Sequence, residues 1–172
     1  VGSNIGLYSI YSAIMHKNIN VFSFEPSPLN LRLLSRNISE NNLEKKIKIV
    51  QLPLSDKKNI FSMMNETEIM EGGALNSFKI KKNFEGKKFK GRNKFNILGT
   101  NLNFLVESKI IELPNYIKID VDGLEHLILK GADRILKSSR IKSISIELND
   151  NYKEQKKLCL NILKKNNFVF KT

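Results

Sequence analysis

The segment IKIDVDGLE, residues 117–125, starts as an apolar, strand-like run and then places Asp120, Asp122 and Glu125 within six residues. Carboxylates gathered at a strand end can accept protons, hydrogen-bond hydroxyl groups or hold a divalent cation. The chain as a whole is basic, with 29 Lys and Arg against 17 Asp and Glu, so this cluster runs against the composition. Asp122 and Glu125 have the D-x-x-E spacing of a helix-capping box, which accounts for both without chemistry. Asp120 lies outside that box and ends the strand. It is the candidate base or positioning group, with Glu125 and His126 as further candidates. A histidine in a first helical turn, such as His126, is also commonly a surface residue, and His16 reads as a helix-end or solvent group. No metal-ligand spacing compels a metal, and no metal ligand is assigned, although two acids close to a crevice could hold a divalent cation that orients an acceptor.

A second constellation lies at the other end of the chain. In VGSNIG, Gly2 and Gly6 frame a tight strand-to-helix turn where a ligand can approach the backbone and meet helix N–H groups. The same glycines would serve a packing turn. Glu25 closes the apolar run NVFSFEP, 19 residues beyond Gly6. An acid about 20 residues past such a turn is suited to the ribose hydroxyls of a nucleoside cofactor. NAD and S-adenosylmethionine both present that ribose. The G-x-x-x-G spacing departs from G-x-G-x-x-G and disfavours a pyrophosphate ligand.

These residues need a scaffold that brings strand ends together. Strand-like and helix-like segments alternate, which predicts an α/β fold with a mostly parallel sheet and helices on both faces. Helices are expected over 5–16, 27–42, 102–111, 123–139 and 151–167. Ser27 is expected as N-cap of the second, with Pro28 at its first position. Strands are expected at NVFSFEP, KIKIVQLPLSD, IFSMM, YIKIDV and IKSISIEL, with FVFKT opening one more. Residues 65–96 read as an irregular excursion over one end of the sheet. In open parallel sheets ligands collect at the carboxyl ends of strands, so VGSNIG, Glu25, LSD and DVDGLE can face one crevice.

Composition sets the outer limits. A chain of 172 residues that is 41% hydrophobic and 27% charged fits one globular domain over 1–172. No apolar run approaches the roughly 20 residues of a membrane helix. No secretory signal is visible, so a cytoplasmic setting is expected. Cys159 within KKLCLNIL reads as core filler. The net charge of +12 invites a nucleic-acid partner. However, Lys, Asn and Ile dominate throughout, and the concentrated stretch 79–94 reads as a solvated loop without a nucleic-acid motif.

Taken together, VGSNIGLYSIYSA, FSFEPSPLNLRLLSRNISENN, PLSD, GGALNSF and YIKIDVDGLEHLILKGADRIL followed by SISIEL resemble the FkbM family of S-adenosylmethionine-dependent methyltransferases. The similarity runs over nearly the whole chain and is weakest at 79–96. It implies a Rossmann-like class I methyltransferase fold and O-methylation of a hydroxyl on a sugar or other small molecule. By resemblance, Gly2, Ser3, Asn4 and Gly6 hold the methionine part of S-adenosyl-L-methionine. Glu25, with Pro26 after it, meets the ribose, Ser55 and Asp56 approach the adenine, and Asp120 lies nearest the transferred methyl. The family's longer opening is cut to VGSN, so the first strand is expected to be largely missing and the chain truncated at both ends. Asn103 stands where relatives commonly have Asp. The competing readings are an NAD-dependent Rossmann oxidoreductase, a nucleic-acid-binding or nucleic-acid-modifying protein using 79–94, and a methyltransferase fold that binds a partner without catalysis.

Overall fold

The computed structural model describes residues 1–80, 82–88 and 91–170. Its central sheet is built from short apolar strands. β1 (Val21–Phe24) pairs in parallel with β2 (Ile47–Val50), and β6 (Tyr116–Ile119) pairs in parallel with β7 (Ser143–Ile146). Val1 and Gly2 lie between the two pairs. Gly2 N and Ser3 N donate to Phe24 O, the Val1 nitrogen donates to Lys118 O, and Asp120 N donates to Val1 O. The resulting lateral order is β2, β1, residues 1–2, β6, β7. Residues 1–2 thus supply the strand position that the sequence left nearly empty.

Helices cover this sheet because their apolar residues recur on one face. α1 (Leu7–Met15) and α2 (Pro28–Glu40) pack Ala13, Leu34 and Ile38 against Leu43 and Ile47. Pro28 opens α2 as expected, but the Ser27 hydroxyl makes no capping bond; the Ser27 N–H donates to Glu25 Oε1. α3 (Leu102–Glu107), α4 (Glu125–Lys130) and α5 (Lys153–Lys165) enclose the main core, which includes Leu105, Ile119, Ile128, Leu129 and Cys159. Burial pushes the Cys159 thiol up to about 12 and keeps it protonated and unreactive, as expected of core filler.

The helix expected over 123–139 is interrupted. α4 stops at Gly131, and a separate 3-10 turn covers Ile135–Lys137. A Cβ on Gly131 would lie 2.1 Å from the Ser55 carbonyl oxygen, so the backbones touch where the helix ends. Beyond the break, Asn103 replaces helical bonding. Its Oδ1 accepts from Arg134 N and Ile135 N, both at 3.2 Å, and its Nδ2 donates to Asp133. Asn103 is therefore a buried brace.

Residues 65–96 are more ordered than expected. β3 (Ile60–Glu66) pairs antiparallel with β4 (Ser77–Phe78) on one side and β5 (Asn93–Gly99) on the other. Met64 and Phe78 of this small sheet pack on Leu124, so it forms a roof over the corner after β6. β5 was visible as alternation, with Phe95 and Ile97 facing inward and Lys94 and Asn96 outward. The surrounding lysines obscured it. Residues 168–170 form no strand, and the rest of the FVFKT run, with Lys81, Phe89 and Lys90 of the basic stretch, lies outside the described residues.

Gly131→Ala is expected to destabilise the fold by about 1–3 kcal/mol through overpacking. Chemical unfolding would measure this as a lower midpoint, and an unchanged midpoint would show that the Ser55 contact yields freely.

Candidate active site

The carboxyl ends of β1 and β6 open into a cleft holding about 630 Å³ of space, part of it open to solvent. At its centre is Glu25, 5% exposed, and its position follows from its neighbours. Asn4 N donates to Oε2 at 2.8 Å, and Ser27 N to Oε1 at 3.0 Å, with Asn30 Nδ2 at 3.4 Å. The turn after Gly2 and the start of α2 are thereby tied to the end of β1. Burial pushes the Glu25 carboxyl up, and those three N–H donors oppose it. A carboxylate offers about four acceptor positions, so Oε2 retains one for a ligand hydroxyl.

Residues 72–76 cross the cleft as a strap. On one side Asn30 holds both faces of the peptide: Gly72 N donates to its Oδ1 at 2.9 Å, and its Nδ2 donates to Gly73 O at 2.9 Å. Asn4 Nδ2 donates to Gly72 O at 3.2 Å and Gly73 O at 3.3 Å. On the other side Leu75 N donates to Asp122 Oδ2 at 2.8 Å. The strap joins the two halves of the sheet above the ligand space. Beneath it the walls are Phe24, Leu52, Leu54, Met64 and Phe78, an apolar floor that suits a flat ring.

Asp120 reaches the cleft from the end of β6 beside Gly2. A Cβ on Gly2, whose φ is +75°, would lie 1.8 Å from the Asp120 carbonyl oxygen, so only glycine permits this approach. Lys118 Nζ pairs with Asp120 Oδ2 and sits 4.1 Å from the centroid of the exposed Tyr8 ring. Burial pulls the Asp120 carboxyl up, but a hydrogen bond with Glu147 and the Lys118 pair hold it below the usual carboxylate range.

The other sequence candidates are distributed differently. Gly2, Asn4, Glu25, Pro26, Asp120 and Asp122 line the cleft together. Ser3 and Gly6 shape its approach: Gly6 N donates to Ser3 O, and a Cβ on Gly6 would meet Leu34 Cδ1 at 2.5 Å. Ser55 and Asp56 are not on the lining, where Leu52, Pro53 and Leu54 stand instead. The Ser55 hydroxyl accepts from Lys57 N at 3.2 Å, and Asp56 pairs with Lys79.

Glu125 is likewise away from the lining. It is 3% exposed and reaches back to Gly123 N and Val121 N, with Gln155 Nε2 as a further donor. It supports the corner in which Asp122 takes φ +58° and Gly123 φ +107°. The expected capping box does not form: α4 starts later, with Leu124 at its N-cap, Asp122 accepts from Leu75 N, and Glu125 accepts from Gly123 N and Val121 N but not from Asp122 N. His126 does not line the cleft either. Burial and Lys130 push it below its ordinary value, which keeps it neutral, and Nδ1 has no partner among the described residues. Among the described residues no three His, Cys, Asp or Glu side chains gather to hold a metal ion.

Sequence reasoning missed Asn30, Glu147 and the strap. Asn30 had a signal: it lies four residues before Leu34 and eight before Ile38, which puts an amide in line with a buried apolar stripe.

A parallel sheet with a glycine turn, an acid ending the next strand and a further acid ending β6 is a Rossmann-like class I methyltransferase fold. A crystal structure of the methyltransferase FkbM from Methylobacillus flagellatus KT shares it, with a TM-score of 0.58 over 95% of this chain and 35% of that one, at 19% identity. The chain belongs to the Methyltransferase FkbM domain family, which it matches over residues 1–170. A protein named Methyltransferase sdnD from Sordaria araneosa is 26% identical over 151 residues, covering 77% of this chain and 58% of its own length. The chain therefore spans little more than half of that relative and about a third of the crystallised one.

Asn30→Ala is expected to weaken the strap by about 1–3 kcal/mol, since it strands buried backbone groups. Amide exchange at Gly72 should accelerate while Ile119 stays protected; equal protection at Gly72 in both proteins would mean the strap is held elsewhere.

Proposed function

We propose that this chain binds S-adenosyl-L-methionine and methylates a hydroxyl oxygen on a sugar or other small molecule. The observation that carries the reading is Glu25: a buried carboxylate with an unused acceptor position, at the end of the strand after a glycine turn, facing an apolar cleft. The residues fit the cofactor on three grounds. Glu25 can accept from a ribose hydroxyl, Leu52, Pro53 and Leu54 offer apolar surface to an adenine, and Gly2 and Asn4 bring the backbone of their turn to the cleft lining.

When bound, the sulfonium supplies an electrophilic methyl group. This chain's residues would orient the acceptor and take its proton. Asp120, ionised well into the acid range, is the group at the cleft mouth able to accept from a hydroxyl, and an alcohol becomes a better nucleophile as its proton leaves. Lys118 holds that carboxylate in place, and the exposed Tyr8 ring beside it offers a flat face to an acceptor. Asp122 is engaged with the strap and serves to close the site. The basic stretch supports a nucleic-acid partner less well, because Lys79, Lys82 and Lys87 pair with Asp56, Glu154 and Glu85. No helix among the described residues is long and apolar enough to cross a membrane.

Calorimetric titration with S-adenosylhomocysteine and NAD tests the reading. S-adenosylhomocysteine should bind, and Glu25→Ala should weaken it about 10- to 100-fold, the loss of one charged hydrogen bond. Binding of NAD alone would overturn the assignment. With a set of sugar acceptors, Asp120→Asn should abolish methyl transfer while S-adenosylhomocysteine still binds; full turnover in that variant would remove Asp120 as base.

A further inference from the structure

Asp120 has a carboxyl neighbour on the next strand. β6 and β7 are parallel with Ile119 opposite Ile146, and Glu147 N donates to Ile119 O at 3.1 Å. One residue further along each strand, Asp120 and Glu147 therefore stand side by side on one face of the sheet, on strands about 4.8 Å apart. Lys118, two residues before Asp120, shares that face and pairs with Oδ2. Two carboxyls this close repel when both are charged, and one proton between them turns repulsion into a hydrogen bond.

We propose that Glu147 is the positioning residue of the site: it shares one proton with Asp120 and, with Lys118 opposite, fixes the Asp120 carboxylate as acceptor for the substrate's hydroxyl proton. The catalytic meaning of this rests on the function proposed above, whereas the shared proton is a property of the protein alone. In the transfer, the hydroxyl proton passes to Asp120 and Glu147 retains its own.

The charged groups facing the pair are Lys118 from β6 and Asp122 from the following turn. The hydrogen bond to Asp120, then its charge, push the Glu147 carboxyl up to about 7, with Lys118 opposing. Because that value is raised on folding, the stabilising contribution of Glu147 is present at acid pH and is lost as pH rises through about 7. Asp120 is shifted down, so its contribution has the opposite sign: it is present at neutral pH and lost as pH falls below the ordinary carboxylate range.

Carbon-detected NMR of the side-chain carboxyls in the ligand-free protein tests the sharing without any substrate. Glu147 should titrate near 7 in the wild type and return to the ordinary glutamate range in Asp120→Asn. An ordinary midpoint in the wild type, or one unmoved by Asp120→Asn, would overturn the proposal. Glu147 is exposed, so Glu147→Gln should fold even if the Asp120 variant does not, and the carboxyl titration near 7 should vanish from it. In turnover assays Glu147→Gln should lose a pH inflection near 7 that the wild type shows, and superimposable profiles would remove the positioning role. Absence of S-adenosylhomocysteine binding by the wild type would sink the cofactor assignment instead, and the carboxyl titration reports independently of it.

Discussion

The structure depends on one backbone approach, that of Gly2 to the carbonyl of Asp120. Within the sheet, residues 1–2 bridge the β1–β2 and β6–β7 pairs through hydrogen bonds to Phe24 O, Lys118 O and Asp120 N. A side chain at Gly2 would push the pairs apart and displace Asp120 from the mouth of the cleft. The same closeness places the Gly2–Asn4 turn between Glu25 and Asp120, the two acids of the site. Fold continuity and site geometry are thus set by a single steric condition.

Around that point the polar groups form a chain of mutual constraint. Glu25 gathers Asn4, Ser27 and Asn30; Asn4 and Asn30 hold the strap; and the strap reaches Asp122 on the far side. Buried polar groups left without partners are costly, so these bonds favour one arrangement of the two halves over alternatives. Glu125 does similar work one layer deeper, where it satisfies the strained corner that aims Asp122.

How much of this was legible depended on whether the signal was local. Glu25 and Gly2 followed from strand, turn and spacing, and the parallel order followed from alternating apolar runs. Asp120 stood out because its neighbours already had a helix-capping explanation. Asn30 was overlooked because its role needs Gly72 and Gly73, more than forty residues away in sequence. Glu147 was unmarked because an acid at a strand end acquires meaning only from the register of the adjacent strand. Ser55 and Asp56 fall just past the lining for a related reason: the chain passes the cleft at Leu52–Leu54 and then turns under Gly131. The break in the 123–139 helix came from that same contact, which periodicity cannot register.

The roof over the site is attached by a narrow base. Glu66 and Asn93 face each other across β3 and β5, with Asn93 Nδ2 donating to Glu66 Oε2 at 2.7 Å and Arg92 N to Glu66 O at 2.9 Å. The chain leaves and re-enters the domain at one clasped pair, and closing a longer loop over such a clasp adds entropy only logarithmically with its length. Inside that clasp the strap and Phe78 are anchored by Asn30, Asp122 and Leu124, so length and chemistry can change at small cost to the sheet below only between those anchors.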